Sequence, residues 1–324
     1  MKINRQSFLK SFQLILLSFV LILFGGFFPS NFLSIFFSVI PQTTTINPSF
    51  HSVNSFQYPS SWCRTNPFLV EWNSSKFIEA ASSVVEYRSS IVLRTHEKTW
   101  KSNHPDKISG LVTHKPFDSL PDIVPCTDEI YTDMDNKVIC GLSRLQDPCV
   151  IYSLGSNANF DFEEAVSKQT LCEIHTFDCT VSEDRIPAIL PARVTYHSIC
   201  LGSDEDVTSQ YRSLGSLMRE FGHSRVDLLK MDIEGFEFRV VEAMYGSFLK
   251  NGGKNLPHQI AFEQHFFTGD GLAWSNQVPG LSSGDMAVLW VDLTDMGYIH
   301  AGRKDNDRSP VCAEFSAMRA FCEN

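Results

Sequence analysis

Residues 141–324 of this 324-residue chain predict a Rossmann-like α/β domain. The expected sheet is seven-stranded and mostly parallel, with an antiparallel strand near one edge and helices on both faces. Three observations lead there. From Cys149 onward, short apolar runs of strand length alternate with segments of helical period. Several of these runs end at a glycine or an acid, the residue types that suit strand ends bordering a cleft. The last two runs are joined by a link too short for a crossover.

In chain order, Cys149 to Leu154 is a buried strand ending at Gly155. Phe160 to Ser167 follows as a helix with acids in its first turn, as the helix dipole favours. Glu173 to Phe177 alternates and ends at Asp178. Arg193 to Cys200 is the third strand. Leu214, Leu217, Met218 and Phe221 fall at helical spacing, closed by Gly222. Val226 to Met231 is the fourth strand. Phe236, Val240, Val241, Met244 and Phe248 line the next helix, which ends near Asn251. Gln259 to Phe262 is the fifth strand. Met286, Leu289, Trp290, Leu293 and Met296 mark a helix closed by Gly297. Tyr298 to Gly302 and Val311 to Met318 are the final strands. Their link, Arg303 to Pro310, is polar and without helical period, so the two pair antiparallel. That reversal is foreign to dinucleotide dehydrogenases and usual in class I methyltransferase folds.

The N-terminal part differs. Lys2, Arg5 and Lys10 precede a stretch without charge up to Arg64, with apolar runs Phe12–Phe28 and Phe32–Ile40. Residues 1–40 are expected to be a cytosolic tip and signal anchor, giving a single-pass type II membrane protein with its main domain lumenal. The Golgi is the expected compartment. A cleaved signal peptide is the alternative, although no small-x-small cleavage site follows. Residues 41–61 read as a polar stalk and 62–140 as an irregular extension packed on the main domain, with a helix over Phe77–Tyr87. Asn73-Ser74-Ser75 is a glycosylation acceptor pattern. Among nine cysteines, Cys63, Cys126, Cys140 and Cys322 lie outside the expected strands and are the better disulfide candidates. Cys149, Cys172, Cys200 and Cys312 are expected as buried thiols. No C-x-x-C pair supports a zinc ribbon. The net charge of -10 argues against a nucleic-acid surface.

Four strand ends carry the chemistry. Ser153-Leu154-Gly155-Ser156-Asn157 has one glycine, too few for a pyrophosphate loop but enough for a tight turn at a ligand without phosphates. Asp178 is placed to accept hydrogen bonds from ribose hydroxyls. Asp232 and Glu234 end the fourth strand in Leu228–Gly235 (LLKMDIEG). Glu263 and His265 end the fifth, and His265 is a candidate general base. If the two strands are neighbours, Asp232, Glu234, Glu263 and His265 converge and could hold a divalent metal. Asp133-Met134-Asp135 is a D-x-D pattern that keeps a lumenal glycosyltransferase open as a rival. A non-catalytic binding module of the same fold is another.

Together with Val150–Gly155, Ile174–Asp178, Phe262–His265 and Cys312–Ser316, the LLKMDIEG segment resembles the FkbM-type methyltransferases, and among them the methyltransferase-like protein 24 family. The resemblance covers about Cys140 to Cys322. It implies a class I fold, S-adenosylmethionine as methyl donor, and cofactor contacts at Gly155 and Asp178. Ser153, Asn157 and Asp232 complete the expected cofactor set, and Asp232 or His265 is expected to take the acceptor's proton. Family members of known activity methylate oxygen, often on sugars, so a small-molecule or glycan hydroxyl is the expected acceptor. Cys179 and Phe236 depart from the pattern and leave the substrate open.

Overall fold

The seven expected strands form one sheet in the computed structural model. They are β1 (Val150–Leu154), β2 (Glu173–Phe177), β3 (Val194–His197), β4 (Leu228–Met231), β5 (Gln259–His265), β6 (Tyr298–Asp305) and β7 (Cys312–Arg319). The structure describes residues 137–202, 210–265, 283–306 and 312–322, together with 61–63, 66–69, 72–84 and a few isolated positions before 137. The proposed signal anchor, the stalk up to Ser60, Cys126 and the D-x-D pattern lie outside them. Among the described residues, no helix is long and apolar enough to cross a membrane.

The strand order is β3-β2-β1-β4-β5-β7-β6. β7 runs antiparallel to both β5 and β6, while β1 to β5 pair in parallel. The fold is therefore the expected Rossmann-like class I arrangement. Its topological switch point lies between β1 and β4, so a ligand crevice belongs at the carboxyl ends of those strands. β3 is shorter than expected. Cys200–Leu201 leaves the sheet and pairs with Tyr211–Arg212, beside a disulfide from Cys200 to Cys179.

Alternating side chains divide the sheet into two faces. Tyr152, Leu154, Leu229, Met231, Ile260, Phe262 and Phe315 face one core. Helices α2 (Leu214–Glu220), α3 (Glu237–Asn251) and α4 (Ser283–Asp295) cover it, with Trp290 fully buried. Ile151, Ile174, Leu228, Ala261 and Ile299 face the other, under α1 (Asp161–Gln169). The rest of that second face is covered by the N-terminal extension, through Phe68, Leu69, Trp72, Ala80, Val84 and Ile139. The extension is therefore part of the core.

Specific bonds fix it there. Ser61–Trp62 pairs antiparallel with Phe321–Cys322, and Cys63 is bonded to Cys322. Asn66 Nδ2 donates to the carbonyls of His258 (3.0 Å) and Arg319 (2.8 Å). Gln259 and the backbone of Cys140 exchange two hydrogen bonds, of 2.8 and 2.9 Å. Asn73 caps the helix over residues 74–84 by accepting from Lys76 N at 2.9 Å.

The cysteines correct part of the sequence reading. Cys63 and Cys322 pair, and Cys140 is also disulfide-bonded. Cys149 and Cys172, expected as free thiols, are bonded to each other, as Cys200 is to Cys179. The reason is register: Cys149 precedes β1 and Cys172 precedes β2, and these strands pair directly, so the two cysteines lie side by side. Cys312 is buried and outside the disulfides, as expected.

The Cys63–Cys322 bridge closes the extension onto the end of the chain. Replacing both cysteines with serine is expected to lower unfolding free energy by about 2–4 kcal/mol. Urea denaturation under non-reducing conditions reads this directly, and an unchanged midpoint would remove the bridge from the account.

Candidate active site

At the switch point two turns lie against each other. β1 ends at Leu154, and Gly155 turns the chain with φ 77°. A Cβ at this position would overlap the carbonyl oxygen of Asp232, the residue that follows β4. Glycine is thus required twice, by its conformation and by the approach of the second turn. Asp232 N in turn donates to Leu154 O at 3.1 Å, and Lys230 Nζ donates to Gly155 O at 2.7 Å.

Each turn is held by one buried carboxylate. Asp178, at the end of β2, accepts from the backbone amides of Ser156 (3.0 Å) and Asn157 (2.8 Å) through Oδ2. Its Oδ1 accepts from Thr180 N (2.9 Å) and Thr180 Oγ1 (2.6 Å). Glu237, in the first turn of α3, does the same for the turn after β4. It accepts from Ile233 N at 2.9 Å and Gly235 N at 2.8 Å. These bonds hold Glu234 in a left-handed conformation at φ 55°, which costs a non-glycine residue roughly 1 kcal/mol or more.

The five expected cofactor contacts have different surroundings. Asn157 is exposed and receives Arg185 at its side-chain oxygen (3.2 Å). Gly155 and Asp232 are half-buried on the rim. Asp178 is buried, and its four internal donors match the hydrogen bonds a carboxylate can accept. A ribose hydroxyl would therefore have to take the place of one of them. Ser153 is fully enclosed in the sheet, and its Oγ has no hydrogen-bond partner.

The rim continues through charged groups. Lys137, from the extension, is 1% exposed and reaches Asp232 at 3.1 Å and Glu314 of β7 at 2.7 Å. Burial works against its charge, but Asp232 and Glu314 outweigh it and raise its pKa above the ordinary lysine range. Glu314 is pushed up to about 7, by burial first, with Lys137 opposing. His265 ends β5 inside a ring of carboxylates. Its Nδ1 lies 3.2 Å from Glu237, and its Nε2 lies 3.2 Å from Glu234 and 3.3 Å from Glu263. Burial alone would lower its pKa, yet Glu237 and Glu263 push it up to about 12. His265 is thus an imidazolium in this arrangement. To act as the expected base it would first have to give its proton to this ring.

Asp232, Glu234 and His265 bring three potential ligand atoms within 4.8 Å of one another, and so do Glu263, His265 and Cys312. The expected convergence of Asp232, Glu234, Glu263 and His265 is therefore present. Lys137 and Glu237 were not anticipated. Glu237 had a local signal, as an acid in the first helical turn beside an already acidic strand end. Lys137 lies in a segment without periodicity and offers none.

The family model described as a methyltransferase domain matches residues 124–318. The chain belongs to this class I S-adenosylmethionine-dependent methyltransferase family. Over 102 residues it is 31% identical to the human "Probable methyltransferase-like protein 24", covering 29% of this chain and 27% of that protein. Over 102 residues it is 30% identical to the rat protein of the same name, covering 29% and 28%. The match thus spans about a quarter of the length of these relatives. Among solved structures, an FkbM methyltransferase from Methylobacillus flagellatus is 13% identical with TM-score 0.30, covering 53% of this chain and 44% of that one. A putative S-adenosylmethionine-dependent methyltransferase from Listeria monocytogenes is 11% identical with TM-score 0.32, covering 53% and 91%.

The rim suits such a methyl donor. S-adenosylmethionine carries a sulfonium and an ammonium and has no phosphate. A lone turn glycine beside carboxylates fits that charge, whereas a phosphate would need a glycine-rich loop.

Two outcomes test this geometry. Gly155→Ala is expected to lose about 2 kcal/mol or more in urea unfolding, because the methyl group meets Asp232 and the φ is left-handed; wild-type stability would contradict the packing. The folded state keeps a proton on His265 that the unfolded chain releases near 6.5. That stabilisation is complete below 6.5 and is lost as pH rises toward 12. With EDTA present, unfolding free energy should fall by roughly 1 kcal/mol per unit between about pH 7 and about pH 9. The His265→Gln chain should lack this slope, and equal slopes would show that His265 is neutral.

Proposed function

We propose that this methyltransferase domain transfers a methyl group to a hydroxyl of a lumenal acceptor such as a glycan. The observation that carries the reading is Asp232. It stands at the switch-point strand end, half-exposed, with one carboxylate oxygen, Oδ2, anchored by Lys137.

S-adenosylmethionine supplies an electrophilic methyl group. Gly155 and Asp178 shape the cradle for its adenosine part, with the backbone of Ser153 and Asn157 beside them. That methyl group would leave its sulfonium as the neutral thioether departs, and Asp232 would hold the acceptor hydroxyl and take its proton. Lys137 fixes the Asp232 carboxylate, so its placement costs no reorganisation during reaction. His265 keeps its own proton and positions the acidic turn through Glu234, Glu237 and Glu263. The negative rim excludes anionic acceptors such as nucleic acid. Most of the rate comes from alignment of the hydroxyl with the methyl group.

A type II signal anchor and a lumenal, Golgi-type location belong to the same reading. The disulfides support an oxidising compartment. Asn73 is exposed at a helix start and accessible to a glycan. A glycosidase-sensitive mass shift supports this location, and access of cytosolic protease to the whole chain contradicts it.

The expected outcome for Asp178→Asn is a folded protein with at least tenfold weaker S-adenosylmethionine binding by calorimetry, since the neutral amide lacks the four-way acceptor. Unchanged affinity would move the cofactor elsewhere. For the reaction, labelled S-adenosylmethionine is offered with glycan, lipid and peptide acceptors. Label on a glycan that is lost in Asp232→Asn supports the proposal. Cofactor binding without transfer to any acceptor supports a non-catalytic module instead.

A further inference from the structure

β2 starts at Glu173 and ends beside Asp178, so the two ends lie about 16 Å apart along the strand. Toward the starting end, on the face covered by α2, His175 in β2 and His223 after α2 come together, while His197, paired with Phe177 at the other end of β2, reaches back to His175. His223 is placed there by the helix ending. Gly222 adopts φ 76°, and His223 N closes back onto Met218 O at 2.7 Å.

The side chains of His175 and His223 point at one carboxylate. His175 Nε2 lies 2.9 Å from Glu173 Oε1, and His223 Nε2 lies 3.5 Å from Glu173 Oε2. All three ligand atoms fall within 4.8 Å of one another. A tetrahedral zinc ion with bonds of about 2.1 Å spaces its ligands about 3.4 Å apart, which these distances bracket. The outward nitrogens are also engaged. His175 Nδ1 lies 2.9 Å from His197 Nε2, and His223 Nδ1 lies 2.7 Å from Tyr152 OH. Metal-ligating histidines characteristically use the second nitrogen this way, which fixes ring tautomer and orientation. An edge contact of His223 with Tyr152, a tilted contact of His175 with Phe221 and stacking of His175 on Phe177 keep the rings from swinging away.

We propose that Glu173, His175 and His223 form a zinc-binding site that staples the end of α2 to β2, separate from the methyl-transfer rim. Two imidazoles and one carboxylate are a borderline-soft set that suits zinc and not magnesium or calcium. The Glu173 side chain is 56% exposed, which leaves the fourth position open to water and gives the ion an entry path.

The test is zinc titration of the full chain after EDTA treatment and buffer exchange, with bound metal counted by mass spectrometry. Wild type is expected to bind one zinc at this site, with a rise in Tm. His223→Gln should weaken that binding by at least tenfold and abolish the rise in Tm. Tyr152→Phe keeps the ring packed and removes only the hydroxyl's bond to His223 Nδ1, so it should weaken binding about 10- to 100-fold. His265→Gln should leave this zinc in place. Cobalt substituted for zinc should give a tetrahedral visible spectrum that is absent in His223→Gln. Zinc uptake that is identical in wild type and His223→Gln, whether zero in both or carried by the rim in both, overturns the proposal.

Discussion

Lys137 is the group on which the site depends. One ammonium, 1% exposed, lies between Asp232 after β4 and Glu314 in β7. It joins three parts of the molecule: the N-terminal extension, the switch-point strand end and the antiparallel strand. A buried ion pair of this kind is weak support for net stability, because desolvation offsets attraction. Its value is positional. Without Lys137, the half-buried Asp232 and the buried Glu314 would face each other with no cation between them, and Glu314 would hold a charge in a setting that already pushes it toward protonation.

The same logic is repeated around the rim. Asp178 and Glu237 each fold one turn by accepting two of its backbone amides, and His265 joins Glu237 to Glu234 and Glu263. The acids read as ligand-binding groups are thus also the groups that set the backbone. This dual use means that the shape of the rim is set by its own side chains, and a preset shape is what methyl transfer by alignment needs. It also means that neutralising a rim acid changes shape as well as charge, so isosteric amides separate the two effects better than alanine.

Much of the fold was legible in the sequence because its signals are local. Apolar runs of strand length, turn glycines such as Gly155, Gly222 and Gly297, and the short link after β6 each act within a few residues. Gly155, Asp178, Asp232 and His265 were legible as strand-end residues for the same reason. What stayed hidden was non-local. Lys137 meets Glu314 across 177 positions, and nothing near it in sequence marks the encounter. The pairing of Cys149 with Cys172 follows from the register of two strands, not from the strand character that suggested free thiols. The protonation of His265 depends on three acids gathered from a loop, a helix and its own strand.

A double-mutant cycle on Lys137 and Glu314, read by urea unfolding of the full chain, tests this account most directly. Lys137→Met alone should cost about 3–5 kcal/mol, and Glu314→Gln added to it should restore part of the loss, giving a coupling above about 1 kcal/mol. Additive costs would mean that the two groups do not sense each other, and the rim would then owe its shape to something other than the buried lysine.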